Sequence, residues 1–157
     1  TTSLGAEVLV VSTLSKSLGS LGGFVAGSRP LIDWLRNTAR SFIFSTATSP
    51  GSVAAAQAAL DIVRSAEGAE LVARLRSHVD RLIPNHPSAV IPVVVGGADE
   101  AMATSDALLE RGLLVPAIRP PTVAPGTSRL RVALSAAHTD SELDSLMCAL
   151  RELGLWS

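Results

Sequence analysis

One lysine, Lys16, stands out among the residues that could do chemistry, because every other strongly basic residue of the chain is an arginine. It lies in VLVVSTLSKSLGSLGGFVAG, residues 8–27, after an apolar run and among small and hydroxyl side chains. A lysine amine becomes a nucleophile when partial desolvation at a strand end lowers its pKa toward neutrality. Small neighbours leave room for a flat ring, and hydroxyls such as those of Thr13 and Ser15 suit a phosphate group. The pattern is compatible with a lysine that binds a flat, phosphorylated cofactor as a Schiff base.

Two other uses of a lysine in a glycine-rich loop do not fit the residues around Lys16. A phosphate-binding P-loop needs Gly-x-x-x-x-Gly-Lys-Ser/Thr, whereas the residue before Lys16 is Ser15. A dinucleotide fingerprint needs Gly-x-Gly-x-x-Gly, which the segment GSLGG does not supply. The residue types by themselves leave open a solvated lysine in a glycine hairpin.

The composition limits the class of protein. The 157 residues suit one average domain or two small ones, and the net charge of −1 with 3% aromatic residues argues against nucleic-acid binding. No apolar run approaches the roughly 20 residues that span a bilayer, and no secretory leader is recognisable, so we expect no membrane partner. The single cysteine, Cys148, excludes an internal disulfide and is compatible with a cytoplasmic location.

The first 65 residues contain elements of an α/β protein but too few to close a core. The chain begins with Thr1 rather than Met, which leads us to expect a piece of a longer protein. The expected elements are a strand at 7–11 buried on both faces, a strand at 22–27, a helix at 30–40, an extended connection at 41–52, and a helix at 52–68 that ends at Gly68. Residues 1–65 are therefore predicted to be the trailing part of a larger α/β domain.

Residues 66–157 are predicted to form a small α+β domain with helices over one sheet face. The expected elements are a helix at 69–84, a strand at 89–97, a helix at 99–112 capped by Gly112, an edge strand at 113–118, a loop at 119–128, a strand at 129–135, and a final helix. That last helix is marked by the capping box of Thr139 and Glu142. In the strand at 129–135, Leu130 and Val132 face one way while Arg129 and Arg131 share the other side.

Three segments carry a resemblance to a known family: STLSKSLGSLGGFVAG, SFIFSTATSP at 41–50, and AIRPPTVAPGTSRLRVALSAAHT at 117–139. They resemble the α-oxoamine synthases, which are fold type I pyridoxal-phosphate enzymes, and they follow in the family's order. The resemblance implies the trailing part of a PLP-transferase large domain followed by a small α+β C-terminal domain. Within the family, IRPPTV followed by GTSRLRVALSAAH is most similar to the biotin-pathway member.

The resemblance also implies roles for residues of the first segments. Lys16 would bind pyridoxal 5'-phosphate as a Schiff base and then move the α-proton of the amino-acid substrate. Thr13 would hydrogen-bond the cofactor phosphate. Ser45 and Thr46 match the family segment that reaches the phosphate of the neighbouring subunit's cofactor. These assignments imply a homodimer with a shared active site.

Two arginines are candidate substrate-binding residues under the same resemblance. Arg131 would hold the amino-acid carboxylate, which suits a planar guanidinium because it can bind a carboxylate through two hydrogen bonds. Arg119 opens the RPPT loop and would either bind the carboxylate of the acyl substrate or shape the entrance. A solvated strand-face arginine and a structural loop arginine are the respective alternatives.

The implied reaction is a decarboxylative condensation of L-alanine with a pimeloyl thioester of coenzyme A or acyl carrier protein. Two alternatives stay open: another α-oxoamine synthase that uses glycine or serine, and a non-catalytic α+β ligand-binding module. Family members are much longer, and their pyridine-pairing aspartate and ring-stacking histidine precede the lysine. We therefore expect the 157 residues to be inactive alone.

The remaining reactive side chains have ordinary structural explanations. We expect the histidines to be structural or solvated, Cys148 to pack in the core, and the two tryptophans to be packing residues. Acidic residues at the start of the last helix complement the helix dipole rather than bind a metal. The histidines are His78, His86 and His138, the tryptophans are Trp34 and Trp156, and the acidic residues are Asp140, Glu142 and Asp144.

Overall fold

The computed structural model describes residues 7–156. Its helices and strands are, in chain order, β1 (Val10–Thr13), β2 (Gly23–Ala26), α1 (Arg29–Thr38), α2 (Arg40–Ile43), α3 (Pro50–Val63), α4 (Ala66–Leu82), β3 (Val90–Gly96), α5 (Ala98–Leu109), β4 (Ala117–Ile118), β5 (Ser128–Ala133) and α6 (Asp140–Glu152). The chain divides into two compact units between Ala69 and Glu70. We call them the first and second unit and describe each by itself.

In the first unit, β1 and β2 form an antiparallel hairpin in which Val10 lies opposite Ala26 and Thr13 lies opposite Gly23. The strand expected at 7–11 therefore begins and ends later in the chain. All residues of both strands are exposed, so the expectation that the first strand is buried on both faces was wrong for this structure. The second strand lies within the predicted range.

The connection between the hairpin and α3 is more helical than predicted. Residues 41–52 were expected to be extended, but α2 makes one helical turn and α3 already begins at Pro50. Proline suits this first helical position because it has no N–H that needs a partner there. The Ser49 side chain caps the helix by accepting a hydrogen bond from the backbone N–H of Ser52 at 3.2 Å. The sequence did not indicate this helix start because the residues around it, including the capping residue, are rich in hydroxyl side chains.

Gly68 was predicted to end a helix, but it lies in the first turn of α4. The preceding helix α3 ends at Val63, and the side chain of Ser65 accepts a hydrogen bond from the N–H of Gly68 at 3.3 Å. A Cβ at position 68 would lie 2.4 Å from the carbonyl oxygen of Ile62. The glycine is therefore needed because two helices meet at a corner with no room for a side chain.

The second unit has the predicted order of helix, strand, helix, strand, strand, helix. Its three strands form an antiparallel sheet with the order β3-β5-β4, so β5 is central. The edge strand β4 is shorter than the segment 113–118, in which Pro116 interrupts the pattern. The N–H of Arg131 nevertheless donates to the carbonyl of Pro116 at 2.9 Å.

Side chains alternate along β5 as the sequence predicted, and one side of the strand forms part of the core. Leu130 and Val132 are buried, whereas Arg131 is exposed. The buried apolar side chains of the described residues all belong to the second unit. They are Val79, Leu82, Ile91, Val93, Ala101, Leu108, Val115, Leu130, Val132, Leu134, Leu143, Leu146, Ala149 and Leu150.

Polar contacts attach α6 to the rest of the second unit. The predicted capping box is present, since Thr139 accepts from the N–H of Glu142 and Glu142 accepts from the N–H of Thr139. Arg81 of α4 forms ion pairs with Asp140 at 2.5 Å and Asp144 at 2.6 Å. These acidic side chains therefore stabilise the helix start and its packing.

The histidines are structural in the way the sequence suggested. His78 is buried and its Nδ1 lies 3.0 Å from the carbonyl oxygen of Ser135. The ring nitrogens of His86 and His138 make local contacts with backbone groups of Ser88 and Ser135, respectively.

Two packing predictions were wrong. Trp156 packs against the core, but Trp34 is 60% exposed because the described part of the first unit has no buried apolar cluster to receive it. Cys148 is exposed rather than in the core. It lies on the outer side of α6, where its Sγ is 3.6 Å from a carboxylate oxygen of Glu152.

Candidate functional site

Lys16 lies in the loop of the β1–β2 hairpin, residues 14–22, which we call the Lys16 loop. Leu14 closes the loop by donating its N–H to Gly22 and accepting from the N–H of Ser20, both at 2.9 Å. A tight turn follows at the tip, where the carbonyl of Lys16 accepts from the N–H of Gly19 at 3.0 Å. Gly19 has a φ of +55°, which favours glycine. The loop thus has a defined backbone, and Lys16 is exposed on it.

Hydroxyl side chains lie close to Lys16 along the chain, and two of them contact each other. Thr13 is the last residue of β1, and its Oγ1 lies 2.7 Å from the Oγ of Ser15. The same oxygen accepts from the N–H of Ser15 at 3.1 Å and lies 3.2 Å from the carbonyl oxygen of Gly22. The loop therefore carries an exposed primary amine one residue after Ser15 and three after Thr13, and the hydroxyls of these two residues contact each other. This donor set fits a phosphorylated aldehyde, because the amine can bind the carbonyl carbon and hydroxyls can donate to phosphate.

The Lys16 loop is attached to the start of α3. The hydroxyl of Ser20 donates to the carbonyl of Ser52 at 2.6 Å. A Cβ at Gly22 would lie 3.6 Å from Oγ1 of Thr48, so the end of the loop lies against that residue as well. Sequence reasoning missed this attachment, because Ser20 and Ser52 are 32 positions apart and serines are common in both segments.

Ser45 and Thr46, the other predicted phosphate-binding residues, lie between α2 and α3 in the same hydroxyl-rich segment as Thr48. Both are exposed, and the hydroxyl of Ser45 donates to the carbonyl of Ser41 at 2.6 Å. The structure thus brings the Lys16 loop against this segment at Thr48 and Ser52, a few residues after the predicted pair.

A cavity of about 700 Å³ lies elsewhere in the first unit, between the hairpin and α1. Its lining includes the apolar side chains of Phe24, Val25 and Ile32, together with the Arg29–Asp33 ion pair at 2.8 Å. Lys16 does not line it. The cavity is therefore not the site that the Lys16 loop forms.

The predicted substrate arginines belong to the second unit. Arg131 lies opposite Pro92 on the outer face of the sheet, and Arg119 directly follows β4. Arg129, which was not chosen from the sequence, lies on the same face as Arg131 and opposite both Val94 and Ile118. Its Nε donates to the carbonyl of Thr127 at 2.9 Å.

Arg129 and Arg131 lie on one face of β5, and Arg119 follows the edge strand β4 that pairs with it. Among residues 7–156, no carboxylate forms an ion pair with Arg119, Arg129 or Arg131. Guanidinium groups without a carboxylate partner in the chain can bind an anion such as the carboxylate of a ligand. The period-two pattern of RLRVA was the signal that could have added Arg129 to the predicted set.

The described part of the chain contains neither a metal-binding cluster nor a helix that could span a membrane. Within residues 7–156, no three His, Cys, Asp or Glu side chains are grouped so that they could hold a metal ion. None of the helices in that range has the length and apolar character required to cross a bilayer.

The comparison with protein families gives a match along almost the whole chain. Residues 2–150 match the family described as aminotransferase class I and II. The chain belongs to the aminotransferase class I and II family. Among its relatives in this family is the 8-amino-7-oxononanoate synthase of Methylobacterium sp. (strain 4-46), which is 53% identical over 149 residues. The match covers 93% of this chain and 39% of that protein, so the chain spans about two fifths of the length of the curated relatives it matches.

Solved structures of family members share the fold. The chain is similar to a serine palmitoyltransferase variant from S. paucimobilis with a bound PLP–myriocin aldimine, with a TM-score of 0.81 and 30% identity over 93% of this chain and 40% of that one. The 8-amino-7-oxononanoate synthase of Francisella tularensis gives a TM-score of 0.73 at 23% identity, over 94% of this chain and 46% of that one, and supports the fold alone. The predicted fold class, part of a fold type I enzyme, and the resemblance to the α-oxoamine synthases are confirmed.

Proposed function

We propose that this chain is part of a pyridoxal-phosphate-dependent acyltransferase that condenses L-alanine with a pimeloyl thioester and forms 8-amino-7-oxononanoate for biotin biosynthesis. The observation that carries the proposal is the Lys16 loop, in which the one lysine of the chain is exposed and follows, by three residues and by one, the contacting hydroxyls of Thr13 and Ser15. The names of the relatives that are about half identical to the chain support the choice of product.

The reaction requires a group that accepts electrons from the α-carbon of an amino acid, and pyridoxal phosphate supplies this chemistry when bound. Lys16 would hold that cofactor through its ε-amine. Once released by the incoming amino acid, the same amine would take the α-proton and later return a proton. The Thr13 hydroxyl would donate to the phosphate in place of its contact with Gly22, and Ser45 and Thr46 would bind the phosphate in a second subunit.

The arginines would bind the anionic ends of the substrates. Arg131 is exposed on the outer face of β5 and would orient the alanine carboxylate, while Arg119 would bind the pimeloyl carboxylate or form the entrance. The sheet fixes the backbone of Arg131 on both sides, through pairing with β3 and through its bond to Pro116. A fixed backbone favours binding because less conformational freedom is lost when the substrate arrives.

The domain assignment belongs to the same proposal. Residues 1–65 would be the end of the cofactor-binding large domain, and residues 66–157 the small C-terminal domain of a cytoplasmic homodimer. We also propose that the 157 residues lack condensation activity by themselves. Their first unit has no buried apolar side chain among its described residues, and the relatives are more than twice as long.

Another α-oxoamine synthase activity is the second candidate. It is favoured by the 30% identity to serine palmitoyltransferase structures, whose amino-acid substrate differs from alanine. A screen of alanine, glycine and serine with acyl thioesters of coenzyme A and carrier protein distinguishes the candidates. We expect 8-amino-7-oxononanoate, identified by mass spectrometry, only from alanine and a pimeloyl thioester. Product formation with serine or glycine, but not with alanine, would contradict the first candidate.

The cofactor proposal is tested on the full-length protein by incubation with pyridoxal phosphate, borohydride reduction and peptide mapping. We expect the modified peptide to contain Lys16. Lys16→Arg is the matched variant, because it keeps the charge but cannot form the covalent link, and it should give no modified peptide. Modification at another residue, or none in the unsubstituted protein, would favour the non-catalytic ligand-binding module instead.

A further inference from the structure

We propose that Ser20 is a positioning residue for Lys16, acting through its hydrogen bond to the start of α3. The inference rests on the proposed function, because it concerns the residue that would hold pyridoxal phosphate. The backbone bonds of the Lys16 loop fix its shape, since they join Leu14 to Ser20 and Gly22 and Lys16 to Gly19. They do not fix the loop relative to the helices, which requires a contact that leaves the hairpin.

Ser20 supplies that contact. Its side chain is half-buried, and its hydroxyl lies 2.6 Å from the carbonyl oxygen of Ser52. The acceptor is itself held in place, because the N–H of Ser52 donates to the capping oxygen of Ser49. Gly22 lies near Thr48, since a Cβ added to it would be 3.6 Å from the Thr48 Oγ1. Loss of the Ser20 hydroxyl would leave the loop without its side-chain hydrogen bond to α3.

The position of Ser20 in the loop explains why its contact acts on Lys16. The turn at the tip runs from Lys16 to Gly19, and Ser20 follows it directly. A shift of the backbone at Ser20 would therefore move Lys16, because only one hydrogen-bonded turn separates the two residues. The Ser20 hydroxyl bonds to Ser52 and not to the Thr13–Ser15 pair, so it would contribute to cofactor binding through the loop and not by contact with the phosphate.

The test uses the full-length protein without cofactor and the variants Ser20→Ala, Ser20→Cys and Ser20→Thr. The Kd for pyridoxal phosphate is measured by titration, and the rate at which an amine reagent labels Lys16 is measured as a function of pH. Ser20→Ala should weaken binding about 2- to 10-fold, the range expected for one neutral hydrogen bond, and should change the rate at which Lys16 is labelled. Ser20→Cys, a weaker donor, should give a smaller change, and Ser20→Thr should restore both values.

Ser65→Ala is the matched control. The Ser65 hydroxyl also donates to a helix carbonyl, that of Ile62 at 2.7 Å, but at the opposite end of α3. It should leave the Kd and the labelling profile unchanged even if it lowers the melting temperature. The inference is overturned if Ser20→Cys and Ser20→Ala match the unsubstituted protein, or if Ser65→Ala weakens binding equally. Failure of the unsubstituted protein to bind pyridoxal phosphate at Lys16 would instead overturn the proposed function, and this inference with it.

Discussion

The two units of the chain use their apolar side chains in opposite ways. In the second unit, Ile91, Leu108 and Leu130 are completely buried, and the helices α4 and α6 are joined by ion pairs. In the first unit, Val11 and Leu21 are each 69% exposed. The unit that carries Lys16 thus has a defined hairpin and helices without a described core of its own. Local backbone hydrogen bonds therefore define the Lys16 loop although the described residues of its unit bury no apolar side chain.

The largest expected effect is on the core of the second unit. Leu130→Ala should lower the free energy of unfolding by about 2–5 kcal/mol, because it leaves a cavity beneath the central strand. Val25→Ala, at a side chain 45% exposed in the first unit, should change it by less than about 1 kcal/mol. Urea titrations measure each loss in its own unit: Leu130→Ala in a Trp34→Phe background by Trp156 fluorescence, and Val25→Ala in a Trp156→Phe background by Trp34 fluorescence. Equal losses for the two variants would refute the contrast between the units.

A substantial effect is also expected within the first unit, at its tight helix corner. Gly68→Ala should destabilise the chain by about 1–3 kcal/mol, since the new Cβ would collide with backbone atoms of Ile62 and Val63. Gly51→Ala is the matched control, because it also lies in a helix but nothing is within 4 Å of its added Cβ. Thermal melts followed by helix circular dichroism compare the variants. A Gly68→Ala variant as stable as Gly51→Ala would show that the corner is not rigid.

A smaller effect is expected from the ion pairs between α4 and α6. Arg81→Gln should lower the stability of the second unit by about 1 kcal/mol at low salt and by less at high salt, because the carboxylates of Asp140 and Asp144 are largely exposed. Arg29→Gln, which breaks a more exposed pair in the first unit, should cost less. Melting temperatures at two salt concentrations test this order. A larger cost at high salt would rule out an electrostatic origin.

The smallest effect concerns the pH dependence of the capping box. The backbone N–H of Thr139, with the help of its hydroxyl and of nearby His138, holds the pKa of Glu142 below its usual value of 4.5. The stabilisation is therefore complete above pH 4.5 and is lost as the pH falls through the lower pKa of the folded state. Glu142→Gln should remove this part of the pH dependence of the melting temperature, whereas the exposed Glu110→Gln should not. Parallel curves for both variants would exclude the proposed linkage.

The sequence predicted those features that depend on neighbouring residues. The Thr139–Glu142 capping box and the alternation along β5 each follow from a local pattern, and both are present. The predictions failed where the outcome depends on contacts that the residue pattern does not show. Gly68 has a helix-ending residue type, but its role is set by the close approach of Ile62, and Trp34 was expected to pack where the described first unit has no core.

The candidate site shows the same division between local and distant information. The residue types around Lys16 indicated a lysine amine with hydroxyl side chains near it in the chain. The hairpin, in which Thr13 and Ser15 contact each other, agrees with that pattern. No periodicity connects Ser20 with Ser52, since the contact depends on where α3 begins relative to the hairpin. The roles of Lys16, Thr13, Ser45, Thr46, Arg119 and Arg131 in binding stay predictions.

The alternation along β5 has a consequence for how the protein can change over generations. Leu130 and Val132 secure the core while Arg131, between them, faces outward. Deleting or inserting one residue within the strand would turn the guanidinium inward and the leucine outward at once. The buried leucine and the outward guanidinium would then be lost in a single event, with no intermediate that keeps either. Length variants should accordingly survive selection in the loop at 119–127 and be absent from residues 128–133.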